Sequence, residues 1–154
     1  MEFERQYDLV RSARGALLDY CASIAGADFV REHSSFGRGS IRNLLVHIAN
    51  TYEFWIGQHG LERRMVFTPW QAVHHVADAR ALFTEVDALV GAFIGRFRND
   101  YLQERELLTG KQPVRAHPLK LFTHVVTHEF HHKGQVLSLS RHLGYVPVDT
   151  DVIR

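Results

Sequence analysis

The stretch His124-Val125-Val126-Thr127-His128-Glu129-Phe130-His131-His132-Lys133-Gly134-Gln135 holds four of the chain's eleven histidines within nine residues. Its surroundings repeat apolar residues at three- and four-residue steps, the period of an α-helix. With about 3.6 residues per turn, positions four apart stack on one face. His124, His128 and His132 then form one column, with successive Cβ atoms about 5–6 Å apart. Two imidazoles so placed can lean toward one point and share a transition metal at about 2.0–2.1 Å per Zn–N bond. Two ligands make a weak site, so a third has to come from elsewhere in the chain. His47, in the middle of a second apolar-periodic segment, is the candidate. The plainer reading makes these histidines packed or surface residues, and spacing alone leaves both readings open.

Composition bounds the class. At 154 residues the chain is expected to form a single domain over 1–154, burying about 70% of the surface its unfolded form exposes. A hydrophobic content of 45% and a charged content of 23% are ordinary for a soluble globular protein. The net charge of +1 provides no basic field for nucleic acid or anionic lipid, so neither is an expected partner. Cys21, the single cysteine, rules out an intramolecular disulfide and suits a reducing cytoplasm. No apolar run approaches the roughly 18 residues of a membrane span. Met1-Glu2-Phe3-Glu4-Arg5 is too charged to open the apolar region of a signal peptide. A cytoplasmic location is the expectation.

The fold follows from the apolar periods. Residues 3 to 25 place Phe3, Tyr7, Val10, Leu17, Cys21 and Ile24 on one face and Arg5, Arg11 and Asp19 outside, with Gly26 as the stop. Residues 27 to 39 read as a loop. Ser40 can cap a second helix, its hydroxyl accepting a first-turn N–H. Ile41, Leu44, Leu45, Ile48, Tyr52, Trp55 and Ile56 form that helix's stripe, His47 lies beside it, and Gly57 and Gly60 mark its end. Thr68-Pro69-Trp70 reads as a threonine cap before proline at the first helical position. It predicts a third helix over 69–98, in which Gly91 and Gly95 could permit close helix approach. Residues 99 to 117 lose the helical period, and Thr109-Gly110-Lys111 could turn between two short extended pieces. Pro118 opens the fourth helix, Gly144 suits its C′ position, and Pro147 prevents continuation. Four amphipathic segments with short to moderate connections predict an all-α fold: an antiparallel four-helix bundle with a short irregular or hairpin segment before the last helix.

His128-Glu129-Phe130-His131-His132 also matches the His-Glu-x-x-His pattern of zinc proteases, where the glutamate is general base. The context does not follow. The extended pattern needs glycine and histidine three and six residues past the second ligand, where this chain has Gln135 and Ser138. Only 22 residues follow His132, none of them glutamate, and Asp149 and Asp151 are the only carboxylates there.

His128 to Gln135, followed by Leu143-Gly144-Tyr145-Val146-Pro147 and Asp149 to Asp151, resembles the C-terminal signature of the DinB-like (DNA-damage-inducible) superfamily. Ile41-Arg42-Asn43-Leu44-Leu45-Val46-His47-Ile48-Ala49 resembles that family's other signature. The resemblance runs the whole chain in order and length, but only these two segments are specific. It implies a four-helix bundle, commonly a homodimer, with a divalent metal held by His47, His128 and His132. Lys133 stands where arginine is usual and Thr127 where asparagine is frequent; neither is a ligand position. His124 would be a supporting group or accessory ligand one turn away. His131, about 100° around the helix from His132, would be a surface or supporting residue.

Three protein ligands leave open positions, as catalysis or substrate binding needs. An all-nitrogen triad suits Zn²⁺, Ni²⁺, Fe²⁺ or Co²⁺. The resemblance implies a metal-dependent transferase that activates a low-molecular-weight thiol for attack on an electrophile. No catalytic residue beyond the triad is identifiable. Asn50, Tyr52 and Glu53 read as ordinary second-helix residues, and Trp55 and Trp70 as core anchors rather than a dimer patch. Two alternatives come from other classes. A hydrolase would use metal-bound water with Glu129 as base, and a non-enzymatic stress-response protein would close its site with a fourth ligand such as His124. The superfamily's name suggests DNA binding, but the near-neutral charge and lack of a basic stripe argue against it.

Overall fold

Helix α1 runs Glu2–Ala22, α2 is the single turn Gly26–Phe29, α3 is Ile41–Tyr52, α4 is Val76–Arg96 and α5 is Pro118–His142. Strands β1 (Arg105–Leu108) and β2 (Pro113–Ala116) pair antiparallel just before α5, with Arg105 opposite Ala116 and Leu108 opposite Pro113. The computed structural model describes residues 2–33, 35–110 and 112–154. Helix α3 packs on both α5 and α4, and α1 packs on α4. This is the all-α bundle expected from the four apolar stripes, hairpin included. Lys111, the third residue of the expected turn, lies outside the described residues.

Each long helix starts and stops for local reasons. Glu2 and Glu4 put negative charge at the N-terminal end of α1, where the helix dipole favours it. Its end comes at Ala22 rather than 25, because the Ser23 and Ile24 N–H groups turn back to the Tyr20 and Cys21 carbonyls. Gly26 therefore opens α2 instead of stopping α1, and α2 carries Phe29 into the core. Ser40 caps α3 as expected, its hydroxyl accepting from the Asn43 N–H at 3.1 Å. The His117 ring caps α5, Nδ1 accepting from the Lys120 N–H at 3.1 Å, with Pro118 at the start of the helix. Gly144 closes α5 at a φ of +93°, a conformation that favours glycine.

Two departures from the sequence reading reshape the middle of the chain. The helical run ends at Gly60, as the glycines indicated, but its last part departs from α geometry and widens into a π-helix over Glu53–Gly60. Gly57 and Gly60 serve close approach there. A Cβ at Gly60 would fall 2.5 Å from the Phe93 ring, and one at Gly57 would fall 2.8 Å from Met65 Sδ. Gly91 and Gly95, by contrast, have no heavy atom within 4 Å of such a Cβ, so they serve no close packing.

The expected start of the third helix at Thr68-Pro69 is also displaced. The Asn50 side-chain amide holds both backbone groups of Thr68, accepting from its N–H at 3.1 Å and donating to its carbonyl at 2.9 Å. Trp70–Ala72 then makes one 3₁₀ turn. Helix α4 begins only at Val76, where Asp78 accepts the His74 and His75 N–H groups at 2.8 and 3.0 Å. It ends at Arg96. Trp70 is left 46% exposed, not a core anchor.

The core gathers Leu17, Ile41, Leu44, Ile48, Ile56 and Leu139, all nearly inaccessible, with the rings of Phe29, Tyr52 and Phe122. The tail from Tyr145 is tied down along the bundle. The Tyr145 hydroxyl donates to Asp28, Lys133 Nζ donates to the Thr150 carbonyl, and Arg154 donates to the Ser12 carbonyl and hydroxyl. None of these tail residues lines the groove that contains the histidines.

Candidate metal centre

His47 on α3 meets His128 and His132 on α5. Ring centroids lie 4.9 Å apart for His47–His128, 4.6 Å for His47–His132 and 4.3 Å for His128–His132. One ring nitrogen from each falls within 4.8 Å of the others, and among the described residues this is the group of three that could hold a metal ion. The i, i+4 spacing stacks the α5 pair, and packing of α3 on α5 supplies the third ring.

The proton positions suit a ligand set. The Gln135 side-chain oxygen lies 2.6 Å from His132 Nδ1. That nitrogen therefore carries the proton, and Nε2 keeps its lone pair. His132 Nε2 in turn faces His128 Nε2 at 3.0 Å. His47 Nε2, on α3, accepts from the Arg38 guanidinium of the preceding loop at 3.3 Å, so that nitrogen also carries a lone pair. His128 Nδ1 is buried without a partner. If His128 Nε2 donates to His132, the orphaned Nδ1 lone pair costs free energy; if Nδ1 holds the proton, two lone pairs face each other. A cation between the rings would satisfy the second arrangement. The chemistry of the donors fits a divalent metal.

Burial keeps the rings neutral. It pushes the His47 pKa down to about 4, helped by the nearby Arg38 and His132. It pushes His128 down to about 3, helped first by His132 and then by His47. His132 is also lowered by burial, against the raising effect of its Gln135 bond. Neutral imidazole is the form that binds metals.

His124 stays outside the three-ring group. Its ring is 5.9 Å from His128 and packs edge-on to Trp55 at 5.3 Å, so it forms a wall of the groove. His131 is exposed, beside His132 at 4.9 Å between centroids. The groove onto which His47 and His128 open has a volume of about 380 Å³ and is walled by Phe54, Trp55, Phe67 and His124, with His132 buried behind it. Trp55 and His124 also line a second, mainly apolar hollow of about 540 Å³, built from Leu119, Leu121 and the hairpin residues Val114 and Ala116.

Glu129 is absent from the groove. It is 2% exposed and turned into the bundle. Arg14 Nε donates to its Oε1 at 2.8 Å and Arg14 Nη2 to its Oε2 at 2.9 Å, while the Tyr52 hydroxyl donates to Oε2 at 2.6 Å. Arg14 reaches Asp87 on α4 at 2.6 Å, and the Tyr7 hydroxyl donates to the same carboxylate at 2.8 Å. All four long helices thus meet in one buried polar network. Burial, then the charge of Glu129, holds the Tyr52 hydroxyl far above its ordinary pKa, so it remains the donor. Both Glu129 oxygens are committed, and the proposed hydrolytic base has no path to the histidines.

Arg14 and Asp87 went unnoticed in the sequence and Tyr7 was read only as part of the apolar face, although Arg14 had a signal. It falls on the buried stripe of α1, between Val10 and Leu17, at a register where a charge needs a partner. Asn50 and Tyr52 have specific partners too: the Thr68 backbone and Glu129.

Among the described residues, no helix is long and apolar enough to cross a membrane. None of the curated proteins matches the chain. The sequence model of the DinB family matches residues 3–154. On that match, which takes in the histidines of both α3 and α5, the chain belongs to the DinB family.

Proposed function

We propose that His47, His128 and His132 hold a divalent transition metal, and that the chain is a metal-dependent transferase activating a low-molecular-weight thiol for attack on an electrophile. The observation that carries this reading is the meeting of ring nitrogens from three neutral imidazoles on two helices within 4.8 Å of one another, two of them on rings that line a groove. When bound there, the metal would supply Lewis acidity that favours the deprotonated form of a thiol. Three nitrogen donors suit Zn²⁺, Ni²⁺, Fe²⁺ or Co²⁺ and leave positions free for a substrate.

The chain's own groups have distinct tasks in this reading. Gln135 holds the proton of His132 on Nδ1 and so leaves Nε2, which faces His128, free to ligate. Arg38, exposed at the rim and 3.3 Å from His47, places positive charge where an anionic thiol would approach. Phe54, Trp55 and Phe67 exclude water from one side. The apolar hollow beyond Trp55 and His124 can take the body of an electrophile.

The commitment of Glu129 to Arg14 and Tyr52 weighs against a hydrolase that uses it as base. The position of His124 against Trp55 weighs against a closed, non-enzymatic site with a fourth histidine. Protein loaded with Co²⁺ tests the thiol step. Cysteine or another small thiol is expected to produce a thiolate-to-cobalt absorption band and to support turnover of an aromatic halide. A spectrum unchanged by saturating thiol would exclude the thiol reading while leaving the metal site standing.

A further inference from the structure

A second groove lies between the π-helical segment Glu53–Gly60, the connector after it and α4. It encloses about 540 Å³, within the range of about 300–1,000 Å³ for small-molecule sites. Its walls are built, not loose. The Arg63 N–H bonds the Gly57 carbonyl at 3.0 Å, and Arg96 donates to the Leu61 carbonyl at 3.0 Å. Between them Glu62 adopts a φ of +57°, a left-handed conformation that non-glycine residues adopt at some cost. The connector is thereby turned back, and Met65 packs against Gly57.

The charges in this groove come from different elements and are unused: the carboxylates from the π-helix and α4, the guanidiniums from the connector. Glu53 is 7% exposed, yet its Oε2 is buried without a hydrogen-bond partner. An orphaned carboxylate oxygen costs free energy unless something supplies a positive charge or a proton. Burial, and then the charge of Glu85 on α4, push the Glu53 carboxyl up to about 7. Arg63 and Arg64 line the same groove, and neither guanidinium has an ion-pair or hydrogen-bond partner among the described residues. Met65, Leu89 and Ala92 give it an apolar wall.

We propose that this groove is a second ligand site, taking a small molecule with a protonated amine at one end and an acidic group at the other. The amine would lie against Glu53 and Glu85, and the acidic group against Arg63 and Arg64. A bare metal cation is a poorer match, because the two carboxylates share the groove with two guanidiniums. The proposal goes beyond the histidine centre and does not depend on it. None of the histidines of that centre lines this groove.

Calorimetric titration of the full chain tests it, with γ-aminobutyrate and ε-aminocaproate beside the matched amines (butylamine, hexylamine) and acids (butyrate, caproate). At least one amino acid is expected to bind saturably, and its matched amine and acid about tenfold more weakly or worse. Glu53→Gln and the double variant Arg63→Ala/Arg64→Ala should each weaken binding about tenfold. His128→Ala should leave it unchanged. Circular dichroism checks that each variant keeps its helices; Glu53→Gln removes a buried charge and the two arginines are exposed, so folding is not at risk. Absence of saturable binding by either amino acid would overturn the proposal, as would equal binding by the bare amine. Undiminished binding in Glu53→Gln, or loss in His128→Ala, would do the same.

Discussion

His128 and Glu129 are neighbours in the chain and belong to different regions of the molecule. His128 faces a half-open groove in which ring nitrogens are left unmatched, one of them buried without a partner. Glu129 faces the interior, where both oxygens are taken by Arg14 and Tyr52. A step of one residue turns a helix by about 100°, enough to pass from one environment to the other. The comparison separates what holds the fold from what is available to chemistry. Completed polar networks rigidify, whereas a cluster of imidazole lone pairs whose one outside donor is the exposed Arg38 remains open to a cation. It also shows why a literal His-Glu-x-x-His match misleads here, since the glutamate's environment is set by α1 and α3.

The largest expected effect lies on the interior side. Arg14→Met removes the cation that Glu129 and Asp87 share, and breaking a buried pair on one side costs about 3–5 kcal/mol. Urea denaturation of wild type and variant reads this directly, and a loss below about 1 kcal/mol would mean that the network is not a structural element. A smaller effect is expected from Tyr52→Phe. It deletes one hydrogen bond to a charged acceptor and should cost about 1.5–3 kcal/mol, while metal content stays unchanged because Tyr52 faces away from the histidines. If Tyr52→Phe lost metal but kept stability, the two regions would not be separable.

Acid sharpens the comparison from the groove side. With folded pKa values lowered to about 4 for His47 and about 3 for His128, against an ordinary 6.5, the unfolded metal-free chain binds protons that the folded rings refuse. Stability is therefore greatest above pH 6.5 and is lost as pH falls from there through the folded values. Replacing both histidines by glutamine should flatten this part of the stability–pH curve. An unchanged curve would show that other groups carry the acid sensitivity.

Much of this architecture was legible because apolar period and caps agreed: the stripes of α1, α3 and α5, the Ser40 cap, Pro118 and Gly144 each acted locally. The start of α4 was not. Thr68-Pro69 carries every local mark of a helix start, but the Asn50 amide, eighteen residues earlier, takes both backbone groups of Thr68 and holds the chain extended. The π-helical turn was also illegible, since its contacts, Phe93 on Gly60 and Met65 on Gly57, come from later in the chain. At the site, spacing put His124, His128 and His132 in one column, and the family resemblance singled out His128 and His132 as the pair. His47 was nominated from the apolar stripe, and only the packing of α3 on α5 brings it to the pair. The Glu129 network needed knowledge of which helix faces α5, and Arg14 on a buried stripe was the one local sign of it.

Metal content of protein purified without an affinity tag, for wild type beside His47→Ala and His128→Ala, bears most directly on the centre itself. About one divalent transition metal per chain, lost in both variants with helicity unchanged, is the expected result. Retention in His47→Ala would contradict the cross-helix site and leave α5 binding metal alone. No metal in wild type even after reconstitution would contradict the metal centre altogether.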